Sequence, residues 1–404
     1  MASILALEYA TSSFSGWEGF RAAMEGYAML KCISRDIRLK HSVTVMVSSE
    51  IQNIYPIEAD RIILVSKHEN PYIILKKLAS QFDYVIAIAP AQKLPEIIRI
   101  VEKAGGKSLG PCLKTVRTCS NKYLLYKELR KGNIPTPKTS RSTFKLEEAL
   151  IKAKEINPPF VVKPVDGVGC IGVSLVNDVN DMGKAIIKAK SNTLKNYFII
   201  QEFINGVNAS ACIIGNGLNV KILSINLQYI DLKTPDRESS YNGGLIPTKL
   251  NGNISSILIE TMRTLKCLYG FIGVDFIISN NTPYITDVNP RITTSYIGLR
   301  KIVNVNIPDM IISGNIDVDV KYNGYSIIKK IKANKRIRVK TLDKFIDKDN
   351  IFINPMVALS GVEKGEEIAL ITANNLTVEK ARSEVEKLKL EVENYFSSKS
   401  FINT

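Results

Sequence analysis

The stretch from Gly273 to Arg300, GVDFIISNNTPYITDVNPRITTSYIGLR, decides the fold. Two apolar segments, Val274–Ser279 and Tyr284–Val288, flank the polar turn Asn280-Asn281-Thr282. That spacing predicts a β-hairpin, because Asn tolerates the positive φ a tight turn requires. Antiparallel pairing brings Asp275, near the start of the first strand, to the same end as Asp287 and Asn289. The two-residue period of a strand puts Asp287 and Asn289 on one face. Two carboxylates and an amide oxygen make an all-oxygen donor set of the kind Mg²⁺ takes when phosphates supply its other ligands. Arg291, behind Pro290, sets a cation beside the anion such a metal would hold. A solvated acidic hairpin end is the bland reading of the same residues. The ordered Asp-x11-Asp-x-Asn-Pro-Arg series favours the site.

Around this hairpin lies a chain of 404 residues, 45% apolar and 23% charged, long enough for about two to four domains with their own cores. No apolar run reaches the roughly 18 residues of a membrane span, so no membrane partner is expected. The opening Met-Ala-Ser-Ile-Leu-Ala-Leu-Glu lacks a basic segment and reads as a first strand, not a signal peptide. The six Cys are scattered, without Cys-x-x-Cys, which points to reduced thiols in a cytoplasmic protein and to no structural zinc. With only two His, catalysis must rest on carboxylates, Lys, Arg and a bound ion. The net charge of +15 invites a nucleic-acid reading. Yet the basic residues are dispersed, and no basic-aromatic interleave forms a stacking platform, so no nucleic-acid partner is expected. The densest basic run, Lys329 to Lys340 (KKIKANKRIRVK), alternates like the solvated face of a strand.

The chain divides by pattern into three parts. Residues 1–114 alternate strands (3–8, 41–47, 61–65, 83–89) with helices (about Trp17 to Arg35, Pro71–Gln81, Leu94–Ala104), the signature of an α/β domain with a parallel sheet. No Gly-x-Gly-x-x-Gly follows the first strand, so no dinucleotide is assigned. Residues 115–320 form a second, α+β domain of antiparallel strands and helices, with a small lobe at about 115–205 and a large lobe at 206–320. Residues 321–404 read as a C-terminal α+β appendage of strands and one long helix, with Thr377 as N-cap and Val385, Leu388 and Leu390 on its apolar side.

Two further stretches carry chemistry. The strand Phe160-Val161-Val162-Lys163-Pro164 runs into Val165-Asp166-Gly167-Val168-Gly169-Cys170-Ile171-Gly172. Its glycines let a backbone turn sharply and aim N–H groups at a polyanion that Lys163 also reaches. A plain glycine turn is the alternative. In Ile199 to Asn208, Gln201 and the backbone after it suit the edge of adenine, and Asn208 suits ribose hydroxyls. Without context this is a strand connection, and Lys122 alone is a solvent-facing helix residue.

In the order Lys122, Lys163 with its glycine loop, Gln201 to Asn208, then Asp275/Asp287/Asn289/Arg291, these elements resemble the ATP-grasp superfamily of carboxylate–amine ligases over about residues 1–310. The resemblance implies ATP and Mg²⁺ (or Mn²⁺), with ATP gripped between two α+β lobes. It puts Lys122 and Lys163 on phosphates beneath the loop of Gly167, Gly169 and Gly172. Adenine falls to Gln201, Phe203 and Ile204, and ribose to Asn208. Asp275, Asp287 and Asn289 would bind metal, with Arg291 and Lys163 as the catalytic cations. The segments Leu7-Glu8-Tyr9-Ala10, Asp166 to Cys170, Ser240 to Gly244 and Asn289 to Leu299 are most similar to the tyramine–L-glutamate ligases of methanofuran biosynthesis. That branch implies a small carboxylic acid (L-glutamate) and an amine (tyramine) as partners, with a homodimer left open. Glu8 and Tyr9, at the end of the first strand, and Tyr241, Asn242, Thr293, Thr294 and Ser295 are the candidate substrate contacts. Two residues depart from the pattern: many relatives carry Glu at the position of Asp287, and an acidic ribose contact at that of Asn208. A nucleotide-binding regulatory protein without ligase activity, or a ligase for another acid and amine, is the alternative.

Overall fold

The computed structural model describes residues 1–12 and 23–398. Its first layer is a parallel sheet of β1 (Ser3–Glu8), β2 (Ser42–Ser48), β3 (Arg61–Val65) and β4 (Tyr84–Ile88), in the order β3-β2-β1-β4. β1 is apolar on both faces, as a strand covered on two sides must be. Ile4 and Ala6 pack with Met24, Tyr27 and Ala28 of the Ala23–Arg38 helix. Leu5 and Leu7 pack with Leu75, Ile97 and Ile98 of the Pro71–Leu78 and Leu94–Lys103 helices. Glu8 ends β1, at the carboxyl edge where open parallel sheets receive ligands. The helix expected from Trp17 to Arg35 runs from Ala23 to Arg38; the expected part from 17 to 22 lies outside the described residues.

The small lobe is an antiparallel sheet of β5 (Thr139–Thr143), β6 (Phe160–Pro164), β7 (Ser174–Val176) and β8 (Tyr197–Glu202), ordered β5-β8-β6-β7. Phe160, Val162, Phe198 and Ile200 pack with Ala149 and Ala153 of the Leu146–Lys154 helix and Met182, Ala185 and Ala189 of Met182–Lys190. Alternation therefore turns Lys163 and Gln201 to the opposite face.

The large sheet has eight strands: β9 (Val207–Asn216), β10 (Val220–Asp231), β11 (Ser240–Ile246), β12 (Tyr269–Ser279), β13 (Thr282–Asn289), β14 (Tyr325–Lys332), β15 (Ile351–Ile353) and β16 (Glu367–Asn375). Their order is β13-β12-β9-β10-β11-β14-β16-β15. The expected hairpin is β12–β13, tighter than the sequence suggested: a two-residue turn, Asn280 at φ 49° and Asn281 at φ 60°, as a type I′ turn requires. Asp275 pairs with Asp287 and Gly273 with Asn289. Val274, Phe276, Ile285 and Val288 join the core formed with the Ile254–Leu265 and Lys122–Lys131 helices. The two Asp and Asn289 thus face away from that core.

The residues after Val320, expected as an appendage, continue this sheet: β14 pairs antiparallel with β11, and β16 with β14. They also bury against the first layer. Ile328, Phe345, Phe352 and Val385 share one core with Ile4, Tyr27 and Ile33. The Lys31 ammonium donates to the Ile346 carbonyl at 2.5 Å, and the Tyr55 hydroxyl donates to the Phe345 carbonyl at 3.1 Å. Thr377 caps the Val378–Ser398 helix by accepting from the Lys380 N–H. Val385 and Leu388 are buried as expected, whereas Leu390 is exposed because it turns off the packed stripe.

The β11–β14 seam depends on Gly243. Its φ is 115°, and an added Cβ would lie 1.9 Å from the Ile328 carbonyl oxygen. Gly243→Ala is expected to destabilise the protein by roughly 2–4 kcal/mol, through forbidden backbone geometry and loss of the ladder. A lowered thermal midpoint measures it; an unchanged midpoint contradicts this account of the seam.

Candidate active site

The hairpin end, the small-lobe face and the end of β1 converge on one cleft. The Lys122–Lys131 helix begins at Lys122 because Asn121 caps it, its Oδ1 accepting from the N–H groups of Tyr123 and Leu124. The first turn is tied to the small lobe by the Lys122 N–H donating to the Val165 carbonyl at 2.8 Å. The Lys122 ammonium then reaches the Asp287 Oδ2 at 2.5 Å, so the residue readable as a solvated helix lysine is a recessed ion-pair partner. Beyond that helix the Pro-Thr-Pro exit docks on β13: the Ile285 N–H donates to the Pro135 carbonyl at 2.9 Å, and Thr136 Oγ1 to the Ile285 carbonyl at 2.8 Å.

Asp275 accepts from Gln228 Nε2 at 2.9 Å and from Asn289 Nδ2 at 3.2 Å. Burial raises its carboxyl to about 6, and the neighbouring Asp287 charge adds to the rise. Two carboxylates held side by side in this way are unfavourable alone and favourable around a cation. The set Asp275, Asp287 and Asn289 has the all-oxygen chemistry that a hard divalent ion takes. Gln228 orients Asp275 and was not anticipated; its only sequence signal is its place on a strand beside β9. Arg291 Nη1 donates to the Ile292 carbonyl at 2.9 Å, and Nη2 approaches Asn289 Oδ1 at 3.5 Å. Its charge acts on Asp275, Glu8 and Glu25.

Lys163 enters from the small lobe, 9% exposed and without a hydrogen bond from its ammonium among the described residues. Burial, and then the Lys122 charge, depress it to about 8, while Asp287 and Asp275 act to raise it. A cation in that condition gains from any polyanion placed beside it. The loop after it turns at Gly169, Cys170 and Gly172, with φ of 60°, 65° and 75°. Asp166 anchors it by accepting from Thr193 Oγ1 at 2.5 Å. The Cys170 thiol is pushed up to about 11, by burial first and also by the Asp275 charge, against the pull of Lys163 and Lys330. The loop tip thus stands among the cleft charges.

Other sequence candidates sit as follows. The Gln201 amide donates to Thr139 Oγ1 at 2.9 Å. Phe203 and Ile204 lie in the β8–β9 connection, and Asn208 opens β9 opposite Ile277. Asn242 accepts from Ser240 at 3.1 Å, and Thr293 packs against Gly273. Ser295 is buried at the start of the Ser295–Leu299 helix. The Tyr9 ring lies under the Lys93 ammonium, 5.7 Å from its centroid, within the second core of the first layer. Glu8 accepts from the Ala10 and Thr11 N–H groups at 3.1 and 2.9 Å and lies over Gly26.

The basic run from Lys329 needs a correction. Lys329 pairs at the surface with Glu386, but the side chain of Lys330 is only 4% exposed and binds Glu25 and Glu367. Strand alternation was legible there; that the inner face would hold a buried cation was not, because its partners are about 305 and 37 residues away.

Residues 119–295 match the ATP-grasp domain family. The fold is the ATP-grasp fold, those residues carry the domain of that family, and the chain is a ligase that forms carbon–nitrogen bonds. Within that class it is 27% identical over 328 residues to the tyramine–L-glutamate ligase of Methanocaldococcus jannaschii, spanning 79% of this chain and 91% of that protein. Among solved structures it is similar to the biotin carboxylase domain of Hydrogenobacter thermophilus 2-oxoglutarate carboxylase in complex with MgADP, ADP and bicarbonate. That likeness has a TM-score of 0.71 at 16% identity, over 96% of this chain and 89% of that one. The L-amino acid ligase of Bacillus licheniformis aligns with a TM-score of 0.68 at 17% identity, over 97% of each chain. No helix among the described residues is long and apolar enough to cross a membrane, and all six cysteines are free.

Glu8 supplies a test of the burial at this site. Its carboxyl is raised to about 7 by desolvation, against the two N–H groups it accepts from. The unfolded chain therefore loses this proton first as pH rises, and folded stability falls between about pH 4.5 and 7. Glu8→Gln is expected to remove that decline, so that from pH 4.5 to 8 the variant gains on the wild type by about 3 kcal/mol. Urea unfolding at both pH values measures the difference; a constant difference contradicts the assignment.

Proposed function

We propose that this ligase joins a carboxylic acid to a primary amine through an acyl phosphate, at the expense of ATP, with L-glutamate and tyramine as the pair. The observation that carries the reading is the meeting of Lys163 from the small lobe with Lys122, Asp275, Asp287 and Arg291 at the hairpin end. The relative named for tyramine and L-glutamate supports the choice of substrates.

A carboxylate is a poor acyl donor because oxide is a poor leaving group. Transfer of the γ-phosphoryl group converts that oxygen into part of a phosphate. The amine then attacks the carbonyl carbon, the C–N bond forms, the C–O bond to phosphate breaks, and the amine loses a proton. In this reading Lys122 and Lys163 hold the phosphates, and the loop of Gly167, Gly169 and Gly172 covers them. Gln201, Phe203 and Ile204 take adenine, and Asn208 takes ribose. Asp275, Asp287 and Asn289 hold Mg²⁺, which when bound offsets charge on the phosphates. Arg291 neutralises charge on the oxygen leaving the substrate and on the transferred group. Closure of the lobes keeps water from the acyl phosphate. Glu8, Tyr9, Tyr241, Asn242, Thr293, Thr294 and Ser295 line the substrate side. The proposed units are 1–114 and 115–320, with residues 321–404 completing the large sheet of the second.

Incubation with Mg-ATP, L-glutamate and tyramine is expected to release ADP and to yield a product of their summed mass less one water. Lys163→Ala and Asp287→Ala are each expected to lower that turnover by about 10²-fold or more, with unchanged circular dichroism. Full turnover in both variants overturns the site. Turnover with a different pair keeps the chemistry and discards the substrates.

A further inference from the structure

Beside Arg291 lies a second buried charge cluster, assembled from parts of the chain far apart in sequence. Glu25 comes from the Ala23–Arg38 helix, Thr294 from the segment after the hairpin, Tyr241 from β11, Lys330 from β14 and Glu367 from β16. The Lys330 ammonium donates to Glu25 Oε1 and, at 3.0 Å, to Glu367 Oε1. Thr294 Oγ1 donates to the other oxygen of Glu25. The same ammonium stands 5.3 Å from the centroid of the half-buried Tyr241 ring.

Three observations set this cluster in the reaction cleft rather than in a remote core. Thr294 is three residues from Arg291, and the Arg291 charge acts on Glu25. The Lys330 charge also acts on Cys170, at the tip of the glycine loop. The side chains of Glu25 and Glu367 keep 21% and 23% exposure, although Lys330 between them keeps 4%.

The bonding inventory leaves capacity for a ligand. An ammonium has three donors and a carboxylate about four acceptor sites. Among the described residues Lys330 uses two donors on the carboxylates, and Glu25 accepts one bond at each oxygen, which leaves both charges with unused positions. Burial alone would raise Glu25, but Lys330 and Thr294 outweigh it and hold it ionised. The two glutamates hold Lys330 protonated against its burial. Fixed charges of both signs, adjacent and oriented, are complementary to a ligand carrying both signs a few bonds apart.

We infer that Glu25 and Lys330 form the subsite for the α-amino-acid zwitterion of the acid substrate, its ammonium on Glu25 and its carboxylate on Lys330, so that the acid joined is an amino acid reacting through a second carboxylate. This rests on the ligase reading above. It assigns to the strands after Val320 a part in choosing substrate.

The test compares L-glutamate with glutarate, which lacks the amino group, at saturating tyramine and Mg-ATP in the unsubstituted enzyme. L-Glutamate is expected to be favoured in kcat/KM by about tenfold or more, since glutarate loses the one charge-assisted contact to Glu25 and such a contact contributes about that much. Glu25→Gln is expected to erase most of that preference, raising KM for L-glutamate while KM for tyramine and for ATP stays within about twofold. Lys330→Met is expected to raise the same KM, and Lys330→Arg to recover part of the loss. Equal use of glutarate and L-glutamate by the unsubstituted enzyme overturns the inference without any variant. So does a rise in the tyramine KM instead of the acid KM. Acid- and amine-dependent ADP release would in those cases still uphold the ligase reading; absence of turnover with every pair would remove both.

Discussion

Two carboxylates held side by side at the end of one hairpin, Asp275 opposite Asp287, are the constraint on which the rest of the cleft depends. Alone they repel, and burial makes each charge more costly. The fold answers with cations brought from elsewhere: Lys122 on Asp287 from the helix that leads into the small lobe, Lys163 from the small-lobe sheet, and Arg291 from the chain just past the hairpin. Every lobe thus contributes to neutralising one pair of oxygens. The same balance of charge is what a phosphate chain and a divalent cation would enter.

That constraint also explains the architecture around it. The hairpin must be rigid to hold Asp275 and Asp287 in register, and it is the outer pair of an eight-stranded sheet packed on two helices. The small lobe is joined to it by the coil after Glu202 and by the helix starting at Lys122. Lys163 and its glycine loop are thus carried by the same small-lobe sheet. The strands after Val320 complete the sheet on its far side and bring Lys330 and Glu367 to Glu25 of the first layer.

Much of this was legible in the sequence, and the reasons are physical. The hairpin, the cap at Thr377 and the alternation of the strand from Lys329 follow from local rules of turn chemistry and alternation, which act over a few residues. The convergence of Lys122, Lys163, Asp275 and Asp287 was not derivable from spacing; it came from the ordered resemblance to ATP-grasp ligases. What stayed hidden was long-range. Lys330 reads as one more basic residue in a solvated run because nothing near it in sequence announces Glu25. Likewise Gln228 is an ordinary strand glutamine until β10 is placed within reach of Asp275. The residues after Val320 look separate because their pairing partner, β11, lies about eighty residues earlier in the chain.

The central claim is that ATP activates a carboxylate at this cleft by transferring a phosphoryl group to it. The measurement that tests it most directly is the isotope content of phosphate released during turnover with L-glutamate labelled with oxygen-18 in both of its carboxylates. An acyl phosphate requires one labelled oxygen to leave with each phosphate. Unlabelled phosphate, released alongside the amide product, would contradict the account.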